Sequence, residues 1–117
     1  MDDTMMSKIF FHDADIELET LEEGRVCRKI RAHDGGLMIV EVIFEPGAVG
    51  SEHRHVHEQV CYCLEGEFEF TVEGQATRLR PGDSVYVPPS ALHGAVCLDK
   101  GRLLDIFTPQ REDFLKK

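Results

Sequence analysis

The chain has no tryptophan and only two tyrosines in 117 residues, and no apolar run approaches the roughly 18 residues of a membrane-spanning helix. Basic residues are scarce as well. Thirteen Lys and Arg stand against 22 Asp and Glu, a net charge of −9. That balance opposes binding to a phosphate backbone and offers no attraction to an anionic membrane, so neither nucleic acid nor membrane is expected as a partner. The same field repels an acidic small molecule at long range, and such a ligand needs a local cation to hold it. No C-x-x-C spacing occurs among Cys27, Cys61, Cys63 and Cys97, which argues against a zinc finger and for buried reduced thiols. Cys61 and Cys63, two apart on one strand, point the same way and cannot easily bond each other. The first residues, Met1-Asp2-Asp3, are acidic where a signal peptide is basic, and the chain is expected to be cytoplasmic. Its length and 42% hydrophobic content predict one domain over 1–117 with one modest core and one site.

Long amphipathic helices are also missing, and what fills the chain is short strands with glycine or proline between them. Asp13 to Glu19 alternates acid with apolar residues, the period of a strand with one wet face. Arg25 to Arg31 reads as a strand with Val26, Arg28 and Ile30 on one face, and Asp34-Gly35-Gly36 turns it into a strong strand from Leu37 to Glu45. Val60 to Leu64 extends, Glu65-Gly66 reads as a turn, Glu67 to Glu73 alternates again, and Gly74-Gln75 turns once more. After Thr77–Arg80 come the turn Pro81-Gly82-Asp83, the strand Ser84–Val87, the rigid pair Pro88-Pro89 and strands around His93–Leu98 and Arg102–Thr108. Residues 1–8 are expected to fray or to add a strand to a partner's sheet. Only Gln110–Lys117 looks helical. This even spacing predicts an all-β antiparallel sandwich or barrel.

Three of the six histidines fall within five positions, as His53, His55 and His57, with Gln59 just beyond. On a strand, His53 and His55 leave the same face about 7 Å apart, a spacing that two ligands of one ion can bridge. His93 follows Pro88-Pro89 and precedes an apolar strand, so it can enter the same interior from a neighbouring strand. A divalent metal site is the leading reading. His57 is open between a fifth ligand, an outer hydrogen-bond donor and a rim residue.

The pattern Gly47-x5-His53-x-His55-x3-Gln59-x6-Gly66, followed by Pro81-Gly82-Asp83, Pro88 and His93, resembles the two motifs of the cupins. The resemblance covers residues 47–97 and implies a double-stranded β-helix, the cupin jelly-roll barrel, closed by a short C-terminal helical turn. It also implies one divalent metal (Zn, Ni, Mn, Fe or Co) held by His53, His55, Gln59 and His93. Two positions depart from the usual pattern: Gln59 stands where most cupins carry Glu, and Cys97 occupies the late Asn position. Three neutral imidazoles and a neutral amide leave the full charge on the ion, which favours Lewis-acid chemistry over stabilisation of a more oxidised iron.

The tail Leu103-Leu104-Asp105-Ile106-Phe107-Thr108-Pro109-Gln110-Arg111, with His57-Glu58-Gln59 and Arg80-Pro81-Gly82-Asp83, is similar to the pectin-degradation cupins that linearise unsaturated uronates. That resemblance implies Asp105, Phe107 and Arg111 as active-site residues. It further implies an acidic sugar as substrate, a ring-opening isomerisation in pectin or alginate catabolism, and a homodimer. Without it, Asp105 reads as a hydrogen-bonded barrel residue, Arg111 as a partner of Glu112 or Asp113, and Phe107 as core. A cupin oxygenase and a non-catalytic sugar-binding cupin are the alternatives.

Overall fold

The computed structural model describes residues 8–115. Eight strands form one antiparallel system: β1 (Glu19–Leu21), β2 (Val26–Asp34), β3 (Leu37–Phe44), β4 (Val49–His53), β5 (Glu58–Val72), β6 (Gln75–Leu79), β7 (Ser84–Val87) and β8 (His93–Thr108). A single helical turn, α1 (Glu112–Leu115), follows. The order across the sheet is β1-β2-β3-β8-β5-β6, with β4 on β8 and β7 on β5. This is the double-stranded β-helix the motifs imply. No helix among the described residues is long and apolar enough to cross a membrane.

The long pair β5 and β8 forms the spine. The first half of β5 lies against the second half of β8, with Gln59 opposite Phe107 and Cys61 opposite Asp105. The two ends then exchange, with Phe68 opposite Cys97 and Val72 opposite His93. Between these halves the register shifts from Cys63 to Phe68, and there the backbones cross glycine to glycine. Gly66 has φ +84°, and a Cβ on it would lie 2.5 Å from the Lys100 carbonyl oxygen and 2.6 Å from Gly101 Cα. A Cβ on Gly101 would meet the Glu65 carbonyl oxygen at 2.5 Å. The expected turn at Glu65-Gly66 is therefore a bulge inside one continuous strand, and the two expected segments 93–98 and 102–108 are likewise one strand. The hairpin turn proper falls at Glu73-Gly74, where both residues have positive φ (46° and 80°), as a two-residue turn of the primed type requires.

The expected strand from Asp13 to Glu19 also takes another form. Asp13–Asp15 is a 3-10 turn and only Glu19–Leu21 pairs, with β2. Asp13 is drawn to the cations of β2, accepting from Lys29 at 3.2 Å and pairing with Arg31, so its acid spacing serves ion pairs rather than a wet strand face. The C-terminal helical expectation is met at Glu112–Leu115. Residues 1–7, where a strand-exchanging terminus was expected, and 116–117 lie outside the described residues.

The inward faces divide the interior. Phe44, Cys61, Cys63, Phe68, Leu79 and Leu103 build the larger cluster, with the Phe44 and Phe68 rings edge to face at 5.1 Å. Met38, Val40 and Phe107 form a smaller one, against which Phe114 and Leu115 of α1 pack. All four cysteines are free, and three are fully buried, as their apolar settings suggest. Burial pushes the Cys61 thiol well above its ordinary value, with the Asp105 carboxylate adding to the effect.

Candidate metal centre and cavity

A cavity of about 350 Å³ opens between the two clusters. Val40, Val42, Phe44 and Leu103 line it on the apolar side, and His53, Gln59, His93, Asp105 and Arg111 on the polar side. The backbone brings the polar groups together through register. His53 ends β4 and His93 begins β8, and the two are ladder partners. Gln59 is the second residue of β5. His55 does not continue the strand as the spacing predicts: β4 stops at His53, and His55 sits in the connection 54–57. Its ring nevertheless converges, with its centroid 5.4 Å from that of His53 and 4.7 Å from that of His93.

One nitrogen of each ring lies within 4.8 Å of the others. Each Nδ1 lies against a backbone carbonyl: His53 to Ser51 at 2.9 Å, His55 to His57 at 3.0 Å and His93 to Ala91 at 2.9 Å. A carbonyl only accepts, so each Nδ1 carries the proton and each Nε2 presents a lone pair. Three such lone pairs in one place can hold a metal ion. Gln59 fits the set in a telling way. Its Oε1 stands 2.9 Å from His55 Nε2, two acceptors facing each other, an arrangement that a shared cation satisfies. The spacing matches the edge of about 3 Å between adjacent donors when each is ~2.1 Å from an octahedral ion. Burial, reinforced by the Arg111 charge, holds His55 below the usual histidine range. Burial is the chief cause that lowers His93 to about 4, with the charges of His53, His55 and Arg111 adding to it against the pull of its bond to Ala91. Both rings are thus neutral near pH 7, as ligands must be.

Asp105 points from β8 into the same space. Its Oδ1 is buried and has no hydrogen-bond partner among the described residues. Burial raises its carboxyl to about 6, opposed by the Cys61 thiol, the Gln59 amide and, more weakly, the charges of His53 and Arg111. A satisfied barrel residue would not leave an oxygen unpaired. Phe107 is buried (3% exposed), and its ring packs edge-on against His55 at 5.6 Å and His57 at 6.4 Å, so it belongs to the core and to the cavity wall at once. Arg111 likewise keeps both readings. It donates to Asp113 through Nε and Nη2 at 3.0 and 2.8 Å, while lining the cavity with its Cζ 4.2 Å from the Phe114 centroid. His57 lies outside the cluster of ligand nitrogens; its backbone carbonyl orients His55, and its own Nδ1 is buried without a partner among the described residues.

Three cavity residues escape a reading confined to the histidine stretch. Arg28, Glu22 and Phe114 also line the space. Arg28 had a visible signal, a cation between Val26 and Ile30 on the inward face of β2. Glu22 had none, since its left-handed backbone (φ 47°) is unusual for a residue other than glycine.

A β-helix barrel with converging imidazoles at the ends of β4 and β8 defines a cupin, and the chain belongs to the cupin domain family, whose model matches residues 40–107. Within it, the chain is similar to the pectin degradation protein KdgF of Dickeya dadantii (strain 3937), 39% identical over 108 residues that cover 91% of this chain and 97% of that protein. The structure of KdgF from a Halomonas species is similar at a TM-score of 0.86 and 39% identity, covering 92% of this chain and 99% of that one. An RmlC-like cupin from Shewanella frigidimarina NCIMB 400 gives a TM-score of 0.87 at 42% identity, covering 92% and 96%.

Proposed function

We propose that the chain is a metal-dependent isomerase that linearises a cyclic 4,5-unsaturated uronate to the 5-keto-4-deoxyuronate, in the cytoplasmic breakdown of pectin- or alginate-derived uronides. The observation that carries the reading is Asp105, a carboxyl with an unpaired buried oxygen in one cavity with His53, His93 and Arg111, where His55 completes the cluster of three convergent imidazoles. Similarity to pectin degradation proteins over nearly the whole chain supports the substrate class.

His53, His55, Gln59 and His93 would hold one divalent ion, Zn, Ni, Mn, Fe or Co. Such an ion supplies positive charge for an anionic substrate without redox change. Arg111 orients the substrate carboxylate. Phe107 gives the ring an apolar wall. Asp105 takes the proton from the hemiacetal hydroxyl as the bond between the ring oxygen and C1 breaks. The electron pair released makes C1 an aldehyde and, through the ring oxygen, turns the enol ether into an enolate. Asp105 returns the proton to the enol carbon C4, leaving a ketone at C5. Atoms and charge balance as an isomerisation.

The test is loss of the enol-ether absorbance of unsaturated galacturonate, with the protein stripped of metal and then reloaded. Faster loss that depends on metal, with an open-chain keto product by NMR, is expected. Oxygen uptake with a small substrate would point to an oxygenase instead, and saturable binding without product to a sugar-binding module; either result overturns the reading.

The same reading includes a homodimer. Ile39, Ile106, Val60 and Tyr86 lie in one register row across four strands, and Val60 and Tyr86 are 38% and 52% exposed. A second copy would cover this outer row. Light scattering at micromolar concentration is expected to give twice the chain mass, and Val60→Glu to return it to one.

A further inference from the structure

The β2 wall of the cavity carries a charge that the proposed reaction does not use. β2 presents Val26, Arg28 and Ile30 inward, opposite Phe44, Val42 and Val40 of β3. Two of the three are apolar, and the position between them places a guanidinium in a cavity otherwise walled there by Val40, Val42, Phe44 and Leu103. A cation facing inward in a small barrel is unfavourable unless something offsets it. Two contacts are made. Arg28 Nη2 reaches Glu19 on β1 at 3.4 Å, at the long end for a charge-assisted bond. Its Cζ lies 3.9 Å from the Phe114 centroid. Its Nε is buried with no partner among the described residues. A buried N–H left unpaired calls for an acceptor that arrives from elsewhere.

Arg28 does not stand alone. Arg111 Cζ lies 4.2 Å from the same Phe114 centroid, so the two guanidiniums are no farther apart than those two distances together. Each has a carboxylate on its outer side, Glu19 and Asp113 respectively. Both also line the cavity. Two guanidiniums around one ring, each paired with a carboxylate on one side only, offer the donors an anionic ligand needs in a molecule of net charge −9.

We infer that Arg28, together with Arg111 across Phe114, forms a carboxylate-reading subsite of the cavity, and that Arg28 selects acidic over neutral sugars. This rests on the reading of the cavity as an acidic-sugar site. Arg28 is a binding residue in it, with its Nε donating to a carboxylate oxygen of the ligand. The chemistry required is a planar anion with two acceptors attached to a ring small enough for the cavity, which a hexuronic acid meets and the matching hexose does not.

The test compares galacturonate with galactose, binding to metal-loaded protein by calorimetry or ligand-observed NMR, in wild type, Arg28→Gln and Arg28→Lys. Wild type is expected to prefer galacturonate. Arg28→Gln should lower that preference about tenfold or more, the size of a lost hydrogen bond to a charged group. Arg28→Lys should restore part of it, with galactose binding unchanged throughout. A preference retained in full by folded Arg28→Gln overturns the inference and leaves the acidic-sugar reading standing. A wild type that does not distinguish the two sugars overturns the acidic-sugar reading, and the inference with it. Should Arg28→Gln fail to fold, Glu19→Gln decides. Removing the outer carboxylate is expected to tighten galacturonate severalfold and leave galactose alone; no change in either overturns the role of Arg28.

Discussion

Asp105 lines the cavity and His55 packs on its His93, and the two answer to different losses. Asp105→Asn keeps the shape of a carboxyl whose Oδ1 has no partner among the described residues, so it is expected to cost the fold little while removing the group that would move the proton in the proposed reaction. We expect it to keep its metal by elemental analysis while turnover of the unsaturated uronate falls by about 10²-fold or more. His55→Ala deletes a lone pair and the ring that packs on His53, His93 and Phe107, and it should lose stoichiometric metal together with activity. Metal retained by folded His55→Ala would refute the ligand assignment. Arg111 shows why a single role need not exclude another: its bond to Asp113 fixes the guanidinium at the cavity wall, and that fixed position is what a bound anion would use.

Between elements, the crossing of β5 and β8 sets the tightest requirement. Gly66 needs both a left-handed backbone and no side chain, because the backbone at Lys100 and Gly101 stands within contact of any Cβ. Gly66→Ala is expected to destabilise by about 2–4 kcal/mol from strain and overpacking. In thermal melts that corresponds to a fall of roughly 10 °C or more for a domain of this size. Gly74→Ala, with nothing within 4 Å of its added Cβ, bears only the cost of its positive φ and serves as the control. The same crossing marks where sequence reading stopped short. A glycine after Glu65 looks locally like a turn, and only the partner strand, more than thirty positions later, reveals a bulge. Asp13 misled for a related reason, since its cation partners Lys29 and Arg31 lie on another strand. By contrast, Asp34-Gly35-Gly36, Pro81-Gly82-Asp83 and the convergence of His53, His55, Gln59 and His93 were legible. Turn chemistry is local, and rare donor residues at fixed intervals have few other uses. Arg28 was placed on one face with Val26 and Ile30, but no spacing connects it to Phe114, against which its guanidinium packs.

At the scale of the whole molecule, Glu41 ties the sheet together. It is 4% exposed on the outer face of β3, where it accepts from Arg31 Nε of β2 at 2.8 Å and from Arg102 Nη1 of β8 at 2.9 Å. Arg102 Nε continues to Glu65 of β5 at 2.7 Å. Burial alone would raise the Glu41 carboxyl, but the bonds from Arg102 and Arg31 outweigh it and the net shift is downward from 4.5. With the folded value below the unfolded one, the unfolded chain binds the proton more readily. The contribution is therefore fully present above about pH 4.5 and is lost as pH falls through the folded value. Urea melts from pH 7 to pH 3 should show this acid loss, and Glu41→Gln should flatten it while costing roughly 1–3 kcal/mol at pH 7. An unchanged acid slope in Glu41→Gln would remove Glu41 from the account.

The placement of His55 beyond the end of β4 has a kinetic side. On the proposed ligand set, His53, His55 and Gln59 grip one ion from both ends of the short connection 54–57, so that connection becomes a closed ring, with His93 locking it from the neighbouring strand. Once the first donor binds, the others are already at hand, and release requires the ring to open before any single bond can be lost for good. Such a chelate would hold its ion more firmly than separate donors of the same kind, because a donor that lets go stays within reach to bind again.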